Sequence, residues 1–187
     1  ALVTKNLSNK TINIYGININ LLSEIKLLFY SKSYFRAYNL KSKNDLKYNP
    51  SKRKFIKDNL NFFNEENNNF LKLLKILIPK QIPKIFIEGY QETNNLIKIS
   101  GLPNNPKVIF TDNACLFNDL FKLWVAKQVE NSSKLILGQH GGLYGKGKIY
   151  FSQDHEIEIS DKFLTWGWSN KKNKSRIIPF GAYCLLN

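Results

Sequence analysis

LILGQHGGLYGKGKIYFSQDHEIEISDKFLTWGW, residues Leu135–Trp168, decides how the chain is read. Its opening run Leu135-Ile136-Leu137 has the length and apolar content of a buried strand. The run stops at Gln139-His140-Gly141-Gly142, and further glycines follow at Gly145 and Gly147. His155–Ser160 predicts one short helix and Lys162–Thr165 another strand, which runs into Trp166-Gly167-Trp168. An imidazole in a glycine turn at the end of an apolar strand points to a bound ligand.

The same alternation extends outward. Val108-Ile109-Phe110 predicts a compact strand. Asn118 or Asp119 can cap a helix reaching about Val129 that buries Leu120, Trp124 and Val125. Ser132-Ser133 reads as a turn and Ile177-Ile178 as a last strand. Short apolar strands alternating with helices predict an α/β, Rossmann-like domain over residues 65–187, with a mostly parallel sheet covered on both faces. Such sheets bind ligands beyond the carboxyl ends of their strands. Thr111-Asp112-Asn113, Gln139–Gly142 and Trp166–Trp168 are therefore expected on one rim.

Upstream, Phe70–Leu77 predicts a helix started by Asn67–Asn69 and stopped by Pro79 and Pro83. Ile85-Phe86-Ile87 reads as a short buried strand ending at Glu88. Residues 1–64 are the least legible and form the N-terminal part of the domain: a strand within Thr11–Ile19, a helix over Leu21–Tyr30, and a polar loop with a short helix over Lys41–Asn61. The basic cluster Lys52-Arg53-Lys54 reads as a solvated face.

The chain has 187 residues, 43% of them hydrophobic, which is enough for a folded core. It holds 28 basic and 14 acidic residues, for a net charge of +14. Only Arg36, Arg53 and Arg176 are arginines, whereas base readout and bidentate phosphate recognition favour arginine. The excess is read as solvated lysine, and a basic nucleic-acid-binding domain stays the alternative, as does a noncatalytic interaction module. Cys115 and Cys184 support no disulfide framework, and no apolar run approaches the ~20 residues that span a bilayer. A cytoplasmic location is expected, with peripheral contact at the inner face of an anionic membrane. The absence of methionine, position 1 included, reads as a fragment of a longer protein.

Glycines let backbone N–H groups turn toward an anion. Gly142, Gly147 and Lys148 match part of a phosphate-binding GxxxxGK loop, but Ile149 stands where the magnesium-binding Ser or Thr belongs, and the residues beyond it read as extended. GxGxxG spacing is absent, and His140 and His155 are not spaced as zinc ligands. His140 is the foremost catalytic candidate, able to act as acid, base or donor to an anion. Asp112 and Glu88 are the candidate carboxylates; a helix cap is the bland role for Asp112 and a loop anion that for Glu88. Glu156 and Asp161 read as structural, with a lysine as the partner of Asp161. One of Trp166 and Trp168 is expected in the core and the other in a cleft.

Four segments carry a resemblance: IPKIFIEGY (Ile82–Tyr90), VIFTDNACLFNDLFKLWVA (Val108–Ala126), KLILGQHGGLYG (Lys134–Gly145) and HEIEISDKFLTWGW (His155–Trp168). On them the chain resembles a bacterial family of transferases encoded with surface-polysaccharide and flagellar-glycan genes. The resemblance implies a GT-B-like enzyme of two Rossmann-like domains, similar to transferases of Kdo-type sugars. It implies that this chain is the N-terminal, acceptor-side half, inactive alone, with the nucleotide-sugar domain missing beyond Ile177–Gly181. A sugar, an acidic one among the candidates, would pass from a nucleotide-activated donor to a glycan acceptor, with no metal and no further cofactor. Gln139, Gly141, Gly142, Tyr144 and Trp168 would bind substrate beside His140. Asp112 stands where many relatives carry serine.

Overall fold

A computed structural model of the protein describes residues 12–15, 22, 26, 34–35, 46–60, 68–170 and 175–182. The chain divides into two compact units, 1–40 with 101–187 and 41–100. The expected boundary after residue 64 falls inside the second unit.

The first unit holds a six-stranded parallel sheet: β1 Ile12–Tyr15, β2 Tyr34–Phe35, β3 Val108–Thr111, β4 Lys134–Gly138, β5 Lys162–Thr165 and β6 Ile177–Pro179. The strand order is β2-β1-β3-β4-β5-β6, so the winding direction reverses between β1 and β3. The fold is the expected Rossmann-like α/β type. The expected helix at Leu21–Tyr30 lies outside the described residues except for positions 22 and 26.

Register explains the core. Thr111 pairs with Leu137, Leu137 with Phe163, and Phe163 with Ile177. These four share one sheet face and are all buried. Side chains alternate across a strand, and the intervening Val108, Phe110, Ile136 and Leu164 are only half-buried. Among the described residues the sheet is therefore fully closed on one face and partly covered on the other. Ala114–Phe117 (α5) and Asp119–Glu130 (α6) follow β3, and Phe151–Ile159 (α7) follows β4. The α6 N-terminus is capped as expected, Asn118 Oδ1 accepting from Phe121 N at 3.0 Å. It buries Leu120, Trp124 and Val125, and it packs against β4, as does α7.

The second unit is helical: Pro50–Asn59 (α1), Asn69–Gln81 (α2), Lys84–Ile87 (α3) and Tyr90–Ile99 (α4). Two sequence expectations are corrected here. Ile85–Ile87 is a helical turn instead of a strand, opened by Pro83 at its N-cap. Pro79 lies inside α2, which runs on to Gln81. A proline there withholds one N–H, the one that would reach back a turn toward residue 75, and Arg53 Nη1 donates to the Pro79 and Ile82 carbonyls at 2.6 and 3.0 Å.

Arg53 also corrects the reading of the basic cluster, for its side chain is only 4% exposed. Its Nη2 meets Glu88 Oε2 at 2.7 Å, and its Nε meets Oε1 at 2.8 Å. The Tyr48 ring covers the guanidinium at 4.9 Å. A bidentate fork satisfies both charges and offsets their desolvation.

Candidate functional site

Because the strands are parallel, their carboxyl ends share one edge. The turns that leave β3, β4 and β5 there carry Asp112, His140 and Trp166. His140 lies two residues beyond the end of β4, and its ring interacts with the backbone of Gly138 and of Asp112, just past β3. Its side chain is 21% exposed. Burial lowers its pKa, and those two backbone groups oppose the shift. The imidazole is thus biased toward its neutral form, with part of the ring open at the rim.

The ring sits on a buried polar chain. Tyr144 Oη lies 3.2 Å from both ring nitrogens and donates to Glu156 Oε2 at 2.9 Å. His140 Nδ1 is 4.0 Å from Glu156 Oε1. Tyr144 and Glu156 are 1% and 2% exposed. Burial pushes the Glu156 carboxyl up to about 7, the nearby Asp112 charge adds to this, and the Tyr144 hydroxyl opposes it. Burial also raises the Tyr144 hydroxyl above its usual range. Asp112 is buried as well. Two carboxyls so close disfavour double ionisation. Cys115 completes the surroundings; burial, with Glu156 adding, pushes its thiol up to about 12, which leaves it unreactive.

Glu156 is the residue the sequence reading set aside. The expected helix of His155–Ser160 placed it at a helix start. In the structure α7 begins at Phe151, so Glu156 falls mid-helix, and Gln153, Glu156, Ile157 and Ser160 form its buried stripe. That i, i+3, i+4, i+7 spacing, with a carboxylate inside it, was the signal available in the sequence. The early start of α7 also corrects the extended segment expected after Ile149.

Gln139 builds the turn. It is 2% exposed. Its Oε1 accepts from Trp166 N at 2.9 Å and from Trp168 Nε1 at 2.8 Å, and its Nε2 donates to Gly141 O at 2.7 Å. One amide therefore locks the β4 turn to the β5 turn. Gly141 is half-buried and Gly142 exposed, and a side chain at 142 would meet nothing within 4 Å. Gly145 has φ +74°, and a Cβ there would lie 2.7 Å from the Trp168 ring, so glycine is required by both backbone and packing. Trp168 and Trp166 are each half-buried.

The first amide of α5, Ala114 N, donates to Thr111 Oγ1 at 3.1 Å. Asp161 takes the structural part expected of it, pairing with Lys134 Nζ at 2.9 Å and accepting from Leu135 N at the same distance. Glu88 belongs to the helical unit, where Arg53 holds it down to about 2. Among the described residues, no three His, Cys, Asp or Glu side chains cluster as metal ligands, and no helix is long and apolar enough to cross a membrane.

The model of one protein family, the LIC12162 family transferase, matches residues 1–187. No curated protein and no solved structure matches the chain. The chain belongs to the LIC12162 family of transferases.

Proposed function

We propose that this transferase moves a sugar from a nucleotide-activated donor to a glycan acceptor in the making of a bacterial surface polysaccharide. The observation that carries the reading is His140 at the open rim of a parallel sheet, backed by a hydroxyl and a buried carboxyl. Glycosyl transfer needs a proton taken from an acceptor hydroxyl as the new glycosidic bond forms. It also needs donors near the departing phosphate. Neutral His140 fits the first task.

In this reading His140 takes the acceptor proton while the acceptor oxygen bonds the anomeric carbon. The bond from that carbon to the nucleotide phosphate breaks, and its electron pair leaves with the phosphate. The imidazolium so formed donates to Tyr144 Oη, whose own proton is already directed at Glu156. A carboxyl poised near neutrality suits the end of such a relay. The exposed Gly142, with open space where a side chain would stand, leaves room for substrate to approach the ring.

His140→Ala in the full chain, assayed for transfer from nucleotide sugars to a glycan acceptor, tests it. About 100-fold or more should be lost with folding unchanged, as removing a general base predicts. Unimpaired transfer would overturn the assignment.

A further inference from the structure

A hollow of about 480 Å³ lies beside the turn that holds His140, lined by Gly145, Lys148, Gln153, Asp154, Trp168 and Asn170 among others. Trp168 is fixed within it. Its Nε1 bonds Gln139, Gly145 packs against its ring, and the residue lines the hollow. Indoles held this way offer a flat surface to the C–H face of a sugar ring.

Gln153 lines the same hollow. It is 9% exposed, and its Oε1 accepts from Gly145 N at 2.7 Å. A backbone N–H can only donate, so that bond fixes the orientation of the amide. The Gln153 NH₂ has no hydrogen-bond partner among the described residues, and the side chain lines the hollow. Lys148 adds a cation, and Asp154 adds an acceptor. Tyr150, the residue at the start of α7, makes no side-chain cap, which leaves first-turn amides of that helix unsatisfied by it.

We infer that this hollow is a subsite for a carboxylated sugar, with the ring on Trp168, the carboxylate on Lys148 and the Gln153 NH₂, and a hydroxyl on Asp154. The inference rests on the glycosyl-transfer reading for its biological use, but the binding stands on these groups alone. A neutral sugar would keep the stacking and lose the cationic contact.

The test is binding of glucuronate and glucose to the full chain, followed by saturation-transfer NMR and tryptophan fluorescence. Gln153→Glu keeps an oxygen for the Gly145 amide, so the turn is preserved while the NH₂ donors are replaced by negative charge. Lys148→Ala removes an exposed side chain. Each should weaken glucuronate binding by about tenfold, the worth of one charge-assisted hydrogen bond, and Lys148→Ala should leave glucose unchanged. Absence of sugar binding to the wild-type chain, or variants that bind glucuronate as it does, would overturn the subsite. Transfer lost in His140→Ala yet intact in Gln153→Glu would also overturn it, while leaving the role of His140 standing.

Discussion

Tyr144 points its hydroxyl at Glu156, 2.9 Å away, while the same oxygen lies 3.2 Å from the His140 ring. With His140 as the donor to that oxygen, the phenol accepts on one side and donates on the other. Tyr144→Phe keeps the ring and its edge-to-face contacts with His140 and Tyr150 but breaks the chain. Transfer should fall about 10- to 100-fold, within the range of a lost proton-transfer partner. The activity–pH profile should move while far-UV circular dichroism stays the same.

Glu156 has a stability signature of its own. Its folded pKa, about 7, lies above the ordinary 4.5. The folded state therefore holds the proton more tightly, and stability is fully present below about 4.5 and declines as pH rises through about 7. At roughly 1.4 kcal/mol per pH unit the decline approaches about 3 kcal/mol for this buried group. His140, whose pKa is lowered, acts in the opposite sense, and its contribution is lost as pH falls. Denaturant titrations across this range should show the Glu156→Gln variant losing less stability with rising pH than the wild type. Parallel curves would contradict the assigned protonation.

Gln139 should be intolerant of an apolar replacement. Gln139→Leu strands the Trp166 N–H and the Trp168 Nε1–H, both of which donate to one oxygen. Each orphaned buried donor costs about 1–3 kcal/mol. The variant should lose about 2–4 kcal/mol in urea unfolding, with red-shifted tryptophan emission.

In the helical unit, Glu88→Gln should remove about 3–5 kcal/mol by leaving Arg53 buried without its counter-charge. Arg53 lowers the Glu88 pKa from 4.5 to about 2, so this stabilisation is present above about 4.5 and is lost as pH falls toward 2. Hydrogen exchange should quicken in α1–α4 and be little altered in β3–β6. Uniform loosening of both units would argue against an independent clamp.

The sheet was legible where burial is local. β5 was read at its full extent, and β3 and β4 to within a residue or two, because parallel strands closed on one face and partly covered on the other still read as short apolar runs. Parallel pairing then placed Asp112, His140 and Trp166 on the rim without further information. Ile85-Phe86-Ile87 was not legible, since three apolar residues fit a helical turn as well as a strand. Arg53 was hidden because the partner that explains its burial lies 35 positions away. Glu156 was missed through a helix boundary: starting α7 four residues late turned a mid-helix inner position into an apparent end. Gln139 stood out by its place in the turn, but a polar side chain in sequence gives no hint that both its ends are held by backbone and indole.

The strand order has a consequence for how the molecule is made. Ile12 pairs with Val108, so β1 leaves the ribosome well before its central neighbour β3, with the whole helical unit synthesised in between. β3 to β6 pair through much shorter loops, and closing long loops slows assembly. The half of the sheet bearing His140 should therefore gain protection early in refolding, with β1 joining late, an order that pulse-labelled hydrogen exchange would resolve strand by strand.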